Sequence, residues 1–379
     1  MMRRIQTCDL FCTVVDNYGD IGIASRLARQ LHEERGLQVR LWVDDLHTFS
    51  RLHPDIAQQA ESQNWRGVGV RRWAGALGQI VPHDLVIEAF ARELPESFLQ
   101  AMAAQPVKPV WLNLEYLSAE PWVEGCHGLA SPHPRLPLVR YFFFPGYTRA
   151  TGGLLREQGL IEDVESFQLD AKARAAFWQE LGLPLPQTGE LRVSLFAYEN
   201  AAIPALLESL AGHARPVSCL VPESKALAPA LAYFGQSRAQ VGERLERGSL
   251  SLHVLPFLAQ DKYDRLLWAC DLNIVRGEDS FVCAQFAGRP VLWQAYVQQG
   301  DVHGKKVRAW LDRYLEGASP QLAAQLQDLF LAWNQGDPLA PDWLETLPGW
   351  LAHAHRWKGQ LAALPSLSEA LVKFATSKL

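Results

Sequence analysis

Short β-branched and aromatic runs alternate with amphipathic helical patterns along most of this chain, and that alternation restricts the fold more than any other feature. "LFCTVV" is followed by "ASRLARQLHEERG" and then "QVRLWVDD", with Gly36 where the helix stops; "DLVIEAF", "PVWLNLEY" and "RYFFFPGY" come later. Strand, helix, strand in that order is the mark of a parallel sheet with crossover helices. Between these runs "HTFSRLHPDIAQQAE" predicts a helix and "GVGVRRWAG" one more strand. From "TRATGGLLRE" to "LGLPLPQTGE" the text turns to Gly, Pro and polar residues around one short helical piece, as an interdomain connection would. A second series then opens with "LRVSLFAY" and runs through "PVSCLVP" and "LSLHVLPF" to "DLNIVRGEDSFVCAQFAGRPVLW". The expected organisation is an α/β domain over residues 1–153, a linker over 154–184, a second α/β domain over 185–348, and terminal helices over 349–379 that pack back on the first domain or stay with the second. A chain of 379 residues is long enough for two such cores.

Composition removes several classes of function. The net charge is −5 and the charges are interspersed, so the chain lacks the basic stripe that phosphate neutralisation demands, and DNA and RNA are discounted. Six cysteines contain no CxxC pair and sit mostly in apolar runs, which favours buried reduced thiols in a cytoplasmic protein. The start, "MMRRIQTCDLFCTVV", has its apolar run broken by Asp9 and makes a poor signal peptide. No apolar stretch approaches the roughly 20 residues of a membrane-spanning helix. Eleven histidines show no HxxxH or HxH spacing suited to a metal, so no metal is expected.

Ligands of open α/β sheets bind beyond the carboxyl ends of the strands, where loops lead into helix N-termini. The loop "VVDNYGDIG" lies at such a point and carries neither GxGxxG nor a Walker-type pattern. Gly19 and Gly22 permit close backbone approach or positive φ. Asp20 can simply cap a helix beginning at Ile21, but Asp16 precedes it by four residues, and two carboxylates in one corner suit general-base work or a cationic acceptor. In the second half "IVRGEDSFVCAQF" repeats the arrangement: Arg276 offers a bidentate phosphate partner, a helix opening at Asp279 or Ser280 offers N–H donors, and Glu278 suits a sugar hydroxyl. An N-cap beside an exposed arginine is the bland alternative. Phe257 and Gln260 in "LPFLAQDKY", with Tyr198 and Glu199 in "SLFAYEN", fall at neighbouring strand ends, where a ring and an amide can hold a nucleobase. Asn113, Glu115, Arg140 and Tyr141 are weaker candidates of the first domain.

The "DNYGDIG" and "RGEDSFVCAQFAG" loops together resemble those of the bacterial protein-arginine rhamnosyltransferases of the EarP family, which modify translation elongation factor P. The likeness extends over essentially the whole chain, including "VWLNLEYLSAEPWVEGCHGLASPHP" and "LPFLAQDKYDRLLWACDLNIVRGEDSFVCAQFAGRPVLWQAY". It implies a GT-B glycosyltransferase fold, with two Rossmann-like domains facing across a cleft. It also implies inverting, metal-independent transfer of rhamnose from dTDP-β-L-rhamnose to an arginine of elongation factor P, with no other cofactor. By the same resemblance Asp20 is the general base and Asp16 a second acid that orients the acceptor guanidinium. Tyr198, Phe257, Gln260, Arg276, Glu278, Asp279 and Ser280 match donor-binding positions. Tyr18 stands where other members carry Phe. A nucleotide-sugar epimerase of the same fold, or a non-catalytic sugar-nucleotide-binding protein, is the alternative.

Overall fold

The computed structural model describes residues 4–15, 18–73, 80–90, 93–296 and 302–379. Strands β1 (Thr7–Cys12), β2 (Gln38–Val43), β3 (Ser62–Trp65), β4 (Val68–Arg72), β5 (Leu85–Ala89), β6 (Val110–Leu114), β7 (Ala130–Pro132) and β8 (Val139–Phe143) form one sheet. Strands β9 (Leu191–Leu195), β10 (Val217–Pro222), β11 (Arg244–Arg247), β12 (Leu250–Leu255), β13 (Leu272–Arg276) and β14 (Val291–Gln294) form another. Around the first lie helices α1 (Tyr18–Glu33), α2 (Leu46–Leu52), α3 (Glu96–Ala104) and α4 (Trp122–Cys126). Then follow α5 (Leu160–Leu169), α6 (Ala171–Glu180), α7 (Ile203–Ala211), α8 (Leu227–Tyr233), α9 (Gln260–Ala269) and α10 (Asp279–Phe286). The last four are α11 (Val302–Tyr314), α12 (Pro320–Gln335), α13 (Leu347–Ala362) and α14 (Leu367–Thr376).

The first sheet has the order β3-β4-β2-β1-β5-β6-β8-β7, and the second β11-β12-β10-β9-β13-β14. All neighbours pair in parallel except β3 with β4, β7 with β8 and β11 with β12. From β1 the chain winds outward through β2 and β4, then returns to β5 and winds the other way; β9 and β13 flank the same reversal in the second sheet. Each sheet thus has a switch point at which loops diverge and a ligand can enter. Central strands such as β5, β6, β9 and β13 are buried at every position, as a sheet covered on both faces requires.

The chain divides into two compact units, Met1–Gln158 with Ala363–Leu379, and Gly159–Ala362. This differs from the sequence expectation at both ends of the second unit. Residues 154–184, read as a linker from their Gly and Pro content, include α5 and α6, and the latter buries Phe177 and Trp178 against Leu220, Leu255 and Leu266 of unit 2. The terminal helices separate. Helix α13 belongs to unit 2, where Trp350 donates to the Tyr314 hydroxyl and Trp357 to Gln285 Oε1. Helix α14 returns to unit 1: the Leu367 N–H donates to the Leu154 carbonyl at 2.7 Å, and Phe374 packs against His127, Tyr141 and Phe143. Gly153 makes this return possible, because its φ is +71° and a Cβ there would stand 2.2 Å from the Pro365 carbonyl. Five of the six cysteines are buried, Cys126 is half-buried and none forms a disulfide among the described residues. Among the described residues no helix is long and apolar enough to cross a membrane.

Candidate functional site

In unit 1 the reversal between β1 and β5 is occupied by the start of α1. The helix begins at Tyr18, three residues earlier than expected, so Gly19 and Gly22 are helical residues and Asp20 lies inside the first turn rather than capping it from outside. Asp20 is 1% exposed, and its carboxylate reaches backward. Oδ2 accepts the Val15 N–H at 2.8 Å, and Oδ1 accepts the Tyr116 hydroxyl at 3.1 Å. The first bond uses the acid to tie the preceding loop, the device a capping box employs. The second crosses the sheet, since Tyr116 follows β6. Its ring lies stacked on Phe90, with centroids 4.5 Å apart. Phe90 sits just beyond β5 at φ +63°, a conformation uncommon for an aromatic residue, and donates its N–H to the Leu114 carbonyl. Asp44, at the end of β2, accepts the Val14 N–H at 2.9 Å, and burial raises its pKa against the pull of that bond. Two carboxylates therefore fix the backbone between β1 and α1. Asp16 lies outside the described residues.

In unit 2 the corresponding reversal, between β9 and β13, carries a cation. Arg276 ends β13 and is 7% exposed, with its guanidinium carbon 4.9 Å from the Phe196 ring centre and 4.5 Å from that of Tyr198. Both rings follow β9. Arg276 has no carboxylate partner among the described residues, and its buried Nε meets no hydrogen-bond acceptor. A buried guanidinium held between two π faces keeps its planar edge available for an oxyanion. Gly277 turns the chain at φ +66°, and its carbonyl accepts from Trp293 Nε1 at 2.8 Å.

The other residues expected to bind the donor follow neighbouring strands of this sheet. Gln260 is the first residue of α9 and donates at 2.9 Å to Asp279 Oδ2, the first residue of α10, so two helix N-termini are joined by their opening side chains. Helix α10 opens at Asp279, as expected, and its N-cap is Glu278, half-buried and making no side-chain capping bond. The Ser280 hydroxyl is turned back on the Arg276 carbonyl and steadies the turn. Tyr198 is buried and meets Tyr296 edge-on at 5.5 Å. Phe257 is half-buried in the loop before α9. Asn113 donates to Glu115 Oε1 at 2.6 Å, while Arg140 and Tyr141 lie on β8. Sequence reasoning passed over Tyr116, Asp44, Phe196 and Trp293; only Tyr116 carried a readable signal, as the residue after Glu115 at a strand end. Among the described residues no three His, Cys, Asp or Glu side chains gather into a metal-binding group.

Comparison with known proteins agrees with this geometry. Residues 8–376 match the family model described as Elongation-Factor P (EF-P) rhamnosyltransferase EarP. A protein-arginine rhamnosyltransferase of Pseudomonas putida is 49% identical over 98% of this chain and 99% of its own length. The protein of the same name from Shewanella oneidensis is 39% identical, over 97% of this chain and 96% of its own length. A solved chain from work on EarP-mediated arginine glycosylation of translation elongation factor EF-P is 37% identical, covers 98% of this chain and 99% of that one, and superposes with a TM-score of 0.71. Anabaena HepE, solved with UDP-glucose, is only 12% identical but shares the fold at a TM-score of 0.50, covering 98% of this chain and 100% of that one. The architecture is that of the GT-B glycosyltransferases, built from two Rossmann-like units. With the match spanning both charged corners and nearly every residue between them, this chain belongs to the EarP family of EF-P rhamnosyltransferases.

Proposed function

We propose that this chain transfers L-rhamnose from dTDP-β-L-rhamnose to an arginine side chain of elongation factor P in a single inverting displacement. The observation that carries the reading is the pair of opposite charges at equivalent corners: a buried carboxylate, Asp20, in unit 1 and a buried guanidinium, Arg276, in unit 2. Family membership and the names of the relatives support the choice of donor sugar and acceptor.

The chemistry divides along the same line. A guanidinium holds its protons up to a pKa above about 12 and has no free lone pair, so it attacks only as a carboxylate orients it and removes a proton. Asp20, already fixed by Val15 and Tyr116, is assigned that base, and Asp16 is assigned to hold the planar group. As the bond from the anomeric carbon to an acceptor nitrogen forms, the bond to the diphosphate oxygen breaks and its electron pair leaves with dTDP. Arg276 and the N-termini of α9 and α10 stabilise the charge that develops there, so the reading needs no metal. Tyr198, Phe257 and Gln260 are assigned to the nucleoside, and Glu278 to a sugar hydroxyl. One displacement inverts the anomeric centre. The acceptor is a translation factor, which places the reaction in the cytoplasm.

The test is the mass of purified elongation factor P before and after incubation with this protein and dTDP-rhamnose, with the modified residue mapped. One added deoxyhexose on one arginine is the expected result. An unmodified factor with an epimerised donor establishes the epimerase alternative, and donor binding without turnover of either substrate establishes a sugar-nucleotide-binding protein.

A further inference from the structure

Unit 1 contains a second charged feature that the proposed reaction does not use. Between α3 and the β7–β8 hairpin lies a cavity of about 410 Å³, with Glu88, Trp111 and Arg140 at its floor, Leu94 and Leu99 on one wall, and Glu93 and Glu96 among the side chains that line it. Glu88 is the penultimate residue of β5, with its side chain 1% exposed. It accepts Trp111 Nε1 at 3.1 Å and faces Arg140 Nη1 at a loose 3.4 Å. Arg140 is held instead by ring faces, 5.4 Å from both Trp111 and Phe142.

Asp9, on the same face of the same sheet, shows what a closed buried acid looks like. It takes a two-pronged bond from Arg40 at 2.6 and 2.7 Å, a third from Trp42 Nε1 and a fourth from the His83 N–H. Glu88 has no such closure and opens on a cavity. Burial, opposed only in part by Arg140 and Trp111 and reinforced by Glu93, raises its pKa to about 7. Arg135 at the cavity is offset by Glu96 at 3.8 Å, and both are largely exposed. Among the described residues the lining holds three carboxylates, Glu88, Glu93 and Glu96, against two arginines, and Glu88 ionises fully once a cation comes to it.

We infer that this cavity is a recognition subsite for a basic side chain of the acceptor protein other than the arginine that is glycosylated. The inference rests on the proposed function for the identity of the acceptor. The cavity belongs to the same strand end as the base: Phe90, two residues beyond Glu88, stacks on the tyrosine that binds Asp20. An ammonium or guanidinium entering over Glu88 supplies that cation, and Trp111 and Leu99 cover its aliphatic stem.

Steady-state kinetics with elongation factor P as acceptor test this. Glu93→Lys, a substitution at an exposed position, is expected to raise the acceptor KM by about tenfold while kcat and donor affinity stay within about twofold. Glu88→Gln, which keeps the shape and the indole bond, is expected to do the same. Alanine substitution of one acceptor lysine or arginine should raise KM in the wild-type enzyme and add nothing in Glu88→Gln, the sign of a direct pair. An unchanged KM in both variants, a fall in KM, which would mean an anionic occupant, or a collapse of kcat in a folded variant each overturns the inference. Retained kcat at saturating acceptor leaves the proposed function standing whichever way the KM moves; a wild-type protein that never modifies the factor defeats that function instead.

Discussion

The two sheets reverse direction in the same way and fill the corner with opposite charges. In unit 1 the reversal holds Asp20, satisfied by Val15 and Tyr116; in unit 2 it holds Arg276, clasped by Phe196 and Tyr198. One topology therefore serves two chemistries, because topology sets only where strand ends converge, while one side chain decides which charge is welcome there. The acid is bound by fixed hydrogen bonds, which suits a base that must keep one orientation. The guanidinium is bound by aromatic faces, which make no hydrogen bonds with its edge.

The division of labour breaks first at Asp20. Asp20→Asn keeps the size, and its single oxygen can still accept the Val15 N–H while its amide donates to the Tyr116 oxygen, yet it cannot take a proton. Its kcat is expected to fall by roughly 10²–10⁴-fold, the usual loss for a general base, with dTDP-rhamnose affinity unchanged. Full activity in this variant would remove the base from unit 1 and dissolve the contrast. The mirror test is Arg276→Lys. A lysine carries the charge but neither stacks flat between Phe196 and Tyr198 nor offers two parallel N–H bonds, so the donor Kd should weaken by about ten- to a hundredfold. Titration of dTDP by calorimetry checks it, and the acceptor KM should stay put. A donor Kd equal to wild type would show that the rings, rather than the cation, define the unit 2 corner.

Much of this contrast was legible in the sequence, for a physical reason. Strand, loop and helix succeed one another locally, so Asp20 at the end of one apolar run and Arg276 at the end of another could be placed at sheet corners from spacing alone. What holds them could not. Tyr116 meets Asp20 across 96 residues, and Phe196 reaches Arg276 from a different strand, distances over which periodicity carries no information. The antiparallel edge strands β3, β7 and β11 escaped notice because "SQNW", "ASP" and "RLER" are mostly exposed and lack an apolar pattern. Helix α5 was hidden by flanking Gly and Pro, while α6 was read as a short helical piece whose burial of Phe177 and Trp178 in unit 2 escaped notice. The structural role of Asp20 was half visible: a cap was expected, whereas the carboxylate lies within the first turn and ties both the preceding loop and Tyr116.

The third test asks which acid of unit 1 titrates near neutrality. Glu88 is raised by burial from an ordinary 4.5 to about 7 in the folded protein. Between those values the folded state binds the proton that the unfolded state has released, so stability falls as pH rises from about 4.5 to about 7 and is level above. Charge on Arg140, Glu93, Glu96, Arg135 and His133 shapes the curve, but its centre belongs to Glu88. The expected loss is about 1–3 kcal/mol across that window. Glu88→Gln should lose less stability over it, measured by urea unfolding at several pH values. An identical slope in the variant would assign the titration elsewhere.

The smallest effect is the most discriminating. Tyr116→Phe removes one hydroxyl and keeps the ring stacked on Phe90, so the fold and the loop tied by Val15 should persist. Asp20 then loses the bond to Oδ1 alone, worth about 0.5–1.5 kcal/mol. If the hydroxyl orients the base, kcat falls by about two- to tenfold beside a small loss of stability. If Tyr116 serves stability alone, the melting temperature drops and kcat is unmoved. Loss of rate in a variant that is still fully folded separates a positioned base from a well-packed acid. In unit 2 the corresponding change is Tyr198→Phe, which keeps the ring face against Arg276. That is why the hydrogen-bonded corner and the aromatic corner should respond differently to the same loss of a single oxygen.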